Sequence, residues 1–178
     1  KKESRAEGAQ KGTNKKTEKM GYAPVGLRKC MEHEPDPKRY EHTLGVAYTA
    51  AALAMRYGAD MKKAQIAGLL HDCAKNLSSE KQIRTCHKHS IAINAAEQKN
   101  PSLLHAKVGS FLAWHKYGIE DREILDAITW HTTGKPEIRL LDKILYIADY
   151  IEPFSYSHLR THETKGNLLC HPLLEKKN

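Results

Sequence analysis

The sequence predicts an all-α protein. Two observations carry this: from Val25 to Pro153, apolar residues recur at spacings of three and four behind polar caps, and no alternating strand segment appears. No internal repeat is present either. The first helix starts at Asp36-Pro37, where Asp caps and Pro fits the first turn. It runs through Leu44, Ala47, Ala51 and Ala54 to a stop at Gly58. Asp60 caps the next, in which Ala64, Ala67 and Leu70 lead to His71-Asp72. Ser78 or Ser79 opens a short helix through Ile83. Asn100-Pro101 starts another that ends near Tyr117-Gly118. Asp121 caps a helix with Ile124, Ile128 and His131 on one face, ended by Thr132-Thr133-Gly134. Leu140 to Ile151 is the last good helix, with Leu141, Ile144, Leu145, Ala148 and Asp149.

At 178 residues and 40% apolar content the chain forms one domain with a core. Residues 1–21 lack the apolar content to order themselves and read as a disordered basic tail. Residues 22–153 form the domain, and residues 154–178 show no sustained period and read as an irregular C-terminal tail. The net charge of +8 sits mostly in the tails: +4 in residues 1–20 and +2 in residues 154–178, which leaves +2 for the middle. Such tails are more often solvated than bound to polyanions, so the charge does not argue for a nucleic-acid partner. No apolar run approaches the roughly 20 residues of a bilayer span. Cys30, Cys73, Cys86 and Cys170 show no CxxC spacing and read as free thiols in a reducing compartment, hence a cytoplasmic protein.

Six residues read as one metal site: His42, the adjacent His71-Asp72, His105, His131 and Asp149. Each lies in or beside an apolar helical stretch, where a bare polar group is costly. A lone helical His on an apolar face is more often a satisfied core residue than a ligand. The set is stronger than its members. His71-Asp72 ends a buried helix without a capping role, and Asp149 interrupts the apolar run Tyr-Ile-Ala-Asp-Tyr-Ile. Imidazole with carboxylate suits divalent transition metals. Six ligands exceed the four of a structural zinc and suffice for two metals sharing one carboxylate. That count points to metal-assisted hydrolysis of a phosphate ester or anhydride. His33, His87, His89, His115, His158 and His162 lie among polar neighbours or in tails and read as exposed, and His171 lies in the irregular tail. Cys73 reads as a small buried side chain.

The stretches Arg39-Tyr40-Glu41-His42-Thr43-Leu44-Gly45-Val46 and Ala67-Gly68-Leu69-Leu70-His71-Asp72-Cys73-Ala74-Lys75 resemble the HD-domain metallophosphohydrolases. His131-Thr132-Thr133-Gly134 and the later Ala148-Asp149-Tyr150-Ile151-Glu152-Pro153 are similar to the YqeK-type branch, which contains symmetrical bis(5'-nucleosyl)-tetraphosphatases. The likeness covers roughly residues 36–153 and departs after Pro153, where that branch continues with further helix.

The resemblance implies an HD-domain helical bundle with two divalent metals, iron first, with manganese, nickel, cobalt or zinc as alternatives. His42, His71, Asp72 and Asp149 would hold one metal, and His105, His131 and a bridging Asp72 the other. Asp72 and Lys75 are the catalytic candidates. Arg39, Lys75, Thr132 and Thr133 are the substrate-contact candidates. A surface lysine capping a helix end explains Lys75 equally well. The expected reaction is cleavage of diadenosine tetraphosphate to two nucleoside diphosphates by a cytoplasmic enzyme, with a homodimer open. The alternatives are another HD-domain nucleotide phosphohydrolase or phosphodiesterase, and a non-catalytic nucleotide or RNA binder.

Overall fold

The computed structural model describes residues 24–31 and 36–152. The tails expected over 1–21 and 154–178 lie outside them, as do His33, His158, His162, His171 and Cys170. Among the described residues the helices are α1 Pro24–Met31, α2 Pro37–Tyr57, α3 Met61–Leu70, α4 Ser79–Lys88, α5 Ala95–Lys99, α6 Leu104–His115, α7 Arg122–Trp130 and α8 Leu140–Ile151, with a 3₁₀ turn at Pro101–Leu103 and no strand. The all-helical expectation therefore holds.

The caps explain most boundaries. Asp36 accepts from Lys38 N at 3.1 Å, Asp60 from Lys63 N at 3.0 Å, and Asp121 from Glu123 N at 2.9 Å. Gly58 ends α2 at φ 74°, a left-handed conformation that glycine adopts freely. Two expectations shift. The helix opened by Ser78 runs on to Lys88, because Gln82 and Cys86 continue its buried face. The helix expected from Asn100-Pro101 begins instead as the 3₁₀ turn and becomes α6 at Leu104.

Helices α2, α3, α7 and α8 pack on one another around the main core, which α1 extends through Leu27. Val46, Ala47, Ala50, Ala54, Leu70, Ile128 and Leu145 lie buried within it. Helices α2 and α3 touch closely: a Cβ on Gly68 would stand 2.6 Å from Ala47 Cα. A second small core of Ala74, Cys86, Leu104 and Val108 joins α4 to α6. Lys63 of α3 bridges Asp121 at 3.0 Å and Glu123 at 2.8 Å, tying α3 to the start of α7. Two hydrogen bonds from those carboxylates raise its pKa well above the usual lysine range. No described helix is long and apolar enough to cross a membrane.

Candidate metal centre

The fold brings all six sequence-predicted residues into contact. His42 on α2 faces Asp149 on α8, with Nε2 and Oδ1 3.2 Å apart. His71 follows α3, and its Nε2 stands 3.6 Å from Asp72 Oδ2 and 3.7 Å from Asp149 Oδ1. Asp72 Oδ1 lies 3.3 Å from His105 Nε2 and 3.5 Å from His131 Nε2. His105 sits in the first turn of α6, and His131 caps the C-terminus of α7. Four helix ends and the α2 stripe thus aim polar groups at one buried point.

The imidazoles are oriented from behind. His71 Nδ1 donates to Gly68 O at 2.7 Å, His131 Nδ1 donates to Ile128 O at 2.7 Å, and His105 Nδ1 donates to Ser102 O. In each case the acceptor is the carbonyl three residues back. A carbonyl partner requires the proton on Nδ1, which leaves the Nε2 lone pair facing the centre. Metal-ligating histidines are held in this way.

The electrostatics fit the same arrangement. Burial strips His71 of solvent and lowers its pKa to about 4, although Asp72 and Asp149 pull the other way. Burial opposes ionisation of Asp72, but the surrounding His71, His105 and His131 and the Lys75 ammonium hold its carboxyl well below the usual range. Asp149 is likewise held low against burial, by the His42 bond and by His71 and His131.

His71 Nε2 and Asp72 Oδ1 are buried with no hydrogen-bond partner. Leaving such atoms bare is costly, and cations bound at the centre would satisfy them. Two groups have the right convergence: His42, His71 and Asp72, and Asp72, His105 and His131. Ligand atoms on an ion with bonds of about 2.1 Å stand about 3.0–3.4 Å apart. The observed separations of 3.2–3.7 Å are close to that. The donor set therefore fits divalent transition metals.

The remaining candidates stand differently. Lys75 is 45% exposed, and its Nζ reaches Asp72 Oδ2 at 2.8 Å. Arg39, one turn before His42, has Nε 3.9 Å from Asp36 Oδ2 and a buried, unpartnered Nη1. Thr132 Oγ1, beside His131, is also buried without a partner. Thr133 is exposed, and its hydroxyl lies 3.5 Å from Gly134 O. His87, His89 and His115 are exposed as expected, although His89 and His115 both pack on Phe111. Cys73 is half-buried rather than buried: it packs at the edge of the main core, with its Sγ 3.5 Å from Gly109 O.

Sequence reasoning missed Glu152. Its carboxylate is buried against Gly45, one turn beyond Asp149 on one side and one turn beyond His42 on the other. It also missed Asp142, although a carboxylate inside Leu-Leu-Asp-Lys-Ile-Leu carries the signal that exposed Asp149. A cleft of about 780 Å³, lined by Phe111, Trp114 and Trp130, runs between α6 and α7. It occupies the faces turned away from His105 and His131 and is separate from the centre.

Helices with a buried His/Asp cluster of this kind define a helical protein with a site that could hold metal. The HD domain family model matches residues 39–153, and the chain belongs to that family. It is 44% identical over 124 residues to a Bacillus subtilis protein named "Bis(5'-nucleosyl)-tetraphosphatase, symmetrical", covering 70% of this chain and 66% of that protein. A Staphylococcus aureus protein of the same name is 40% identical over 116 residues, covering 65% of this chain and 59% of that one. The chain thus spans about two-thirds or less of the length of these relatives. A crystal structure from Clostridium acetobutylicum, described as a predicted HD superfamily hydrolase involved in NAD metabolism, aligns with a TM-score of 0.69 at 40% identity, covering 80% of this chain and 79% of that chain.

Proposed function

We propose that the protein hydrolyses dinucleoside tetraphosphates, diadenosine tetraphosphate first among them, symmetrically to two nucleoside diphosphates. The observation that carries this is Asp72: its two carboxylate oxygens face different histidine sets, His71 on one side and His105 with His131 on the other. A carboxylate so placed suits a bridge between two metals. His42, His71, Asp72 and Asp149 would hold one, and Asp72, His105 and His131 the other. The names of the Bacillus subtilis and Staphylococcus aureus relatives support the substrate.

Bound divalent metals supply a water whose pKa falls from about 15.7 toward 7 and neutralise phosphate charge. Iron is our first choice, followed by manganese, nickel, cobalt or zinc. The protein's own groups do the rest. The backbone carbonyls of Gly68, Ser102 and Ile128 keep three imidazoles aimed. Lys75, its ammonium beside Asp72 and its side chain reaching solvent, contacts a phosphate oxygen of the polyphosphate. Arg39 and Thr132 offer unpartnered donors to the substrate, and Thr133 adds an exposed hydroxyl. The buried free thiol of Cys86 fits a reducing cytoplasm.

The test is turnover of diadenosine tetraphosphate by the full chain after chelation and metal return. Activity should vanish on chelation and recover on reloading. A panel of mononucleotides and cyclic dinucleotides separates other phosphohydrolase activities. Deleting residues 1–20 should leave turnover intact, whereas a polyanion binder would lose salt-sensitive affinity.

A further inference from the structure

A second set of charges lies outside the six-residue centre and links the same helices. Lys135 Nζ reaches Asp142 Oδ2 at 2.7 Å and Asp126 Oδ2 at 3.5 Å. Arg139 N donates to the same Asp142 oxygen at 2.9 Å, and Arg139 Nη2 stands 3.4 Å from Asp126. The Lys135 side chain is 13% exposed and that of Asp142 is 2%. Asp126 belongs to α7, Lys135 to the loop between α7 and α8, and Asp142 to the first turn of α8. The cluster therefore spans the loop at both ends.

Its place relative to the centre is specific. His131 is four residues before Lys135, at the head of that loop, and five after Asp126. Asp149 is seven residues after Asp142 and so lies on nearly the same face of α8, about 10 Å along the axis. Desolvating a lysine and an aspartate costs roughly what their attraction returns, so a well-packed apolar pair would serve stability as well. An apolar contact tolerates sliding. A buried oxygen that accepts from both Lys135 Nζ and Arg139 N tolerates far less.

We propose that Lys135 is a positioning residue, which fixes the loop carrying His131 to the helix carrying Asp149 and so keeps the two halves of the centre in register around Asp72. This inference rests on the two-metal reading above. It assigns Lys135 a role without placing it on metal or substrate.

The experiment is calorimetric titration of the metal-free full chain with Mn(II), alongside thermal melting. Wild type, Lys135→Met, Lys135→Arg, Asp142→Asn and His131→Ala are compared. His131→Ala marks which equivalent belongs to the His105–His131 half. In folded Lys135→Met that equivalent should bind up to about 10-fold more weakly, the lower end of what losing a ligand's direct hydrogen-bond partner costs, because Lys135 acts one step further out. The other equivalent should be unchanged, and Lys135→Arg should recover most of the loss. Two wild-type affinities in folded Lys135→Met would overturn the proposal. If Lys135→Met does not fold, Asp142→Asn decides: it keeps its shape and loses the charge, and the same selective weakening is expected. Unchanged binding there overturns the proposal. A wild type that takes up fewer than two equivalents overturns the two-metal reading itself, and this inference with it.

Discussion

His105 Nε2 and His131 Nε2 face each other at 3.3 Å across the Asp72 carboxylate, and each imidazole spends its Nδ1 proton on a backbone carbonyl. Two lone pairs at that distance repel unless a cation lies between them. Both histidines also approach one oxygen, Asp72 Oδ1. Replacing Asp72 with Ala should remove metal from both halves, because each loses its shared ligand. Elemental analysis of the folded variant checks this, and full metal content would refute the bridging assignment.

The metal-free protein should weaken as the pH falls through the mildly acidic range. His71 stays neutral in the fold down to about pH 4, whereas in the unfolded chain it takes a proton near 6.5. Between those values the unfolded state binds more protons, so stability rises with pH across the window and is lost as pH falls through it. The loss amounts to about 3 kcal/mol. Asp72 and Asp149, both held below the usual carboxylate range, extend it below pH 4. Urea midpoints at pH 7, 5 and 4 measure this. A flat profile would mean that His71 is not solvent-stripped.

Two glycines should respond differently to the same substitution. A methyl on Gly68 meets Ala47 backbone, which cannot rotate away, and Gly68 also supplies the carbonyl that holds His71. Gly68→Ala should cost about 1–3 kcal/mol and weaken metal binding. A methyl on Gly45 meets only the end of the Glu152 side chain, which can swing aside. Gly45→Ala should therefore cost less. Equal melting temperatures for the two variants would contradict the α2–α3 contact.

The sequence made the centre legible because its members break apolar stripes: His42, His105, His131 and Asp149 are polar side chains where the helical period calls for apolar ones. The Asp36, Asp60 and Asp121 caps were legible for a local reason, since each bonds a backbone N–H two or three residues away. Helix α1 and the five-residue α5 were not. Helices so short gain little from propensity and depend on packing. Nor could spacing give the fit of Glu152 on Gly45 or the reach of Lys135 to Asp142, because both depend on how the helices and loops pack together.

Removing residues 154–178 should leave the melting temperature and metal content nearly unchanged. Among the described residues, the two cores and the six centre residues all lie between Leu27 and Asp149. Truncation after Pro153, followed by melting and metal analysis, tests the domain boundary. Unfolding or an emptied centre would make the tail integral to the fold.

The products of diadenosine tetraphosphate hydrolysis test the central claim most directly. A centre acting at the middle of the polyphosphate splits it into equal halves, so chromatography of a digest by the metal-loaded full chain should show ADP alone. AMP and ATP in equal amounts would mean attack off the centre of the chain, and would contradict the account.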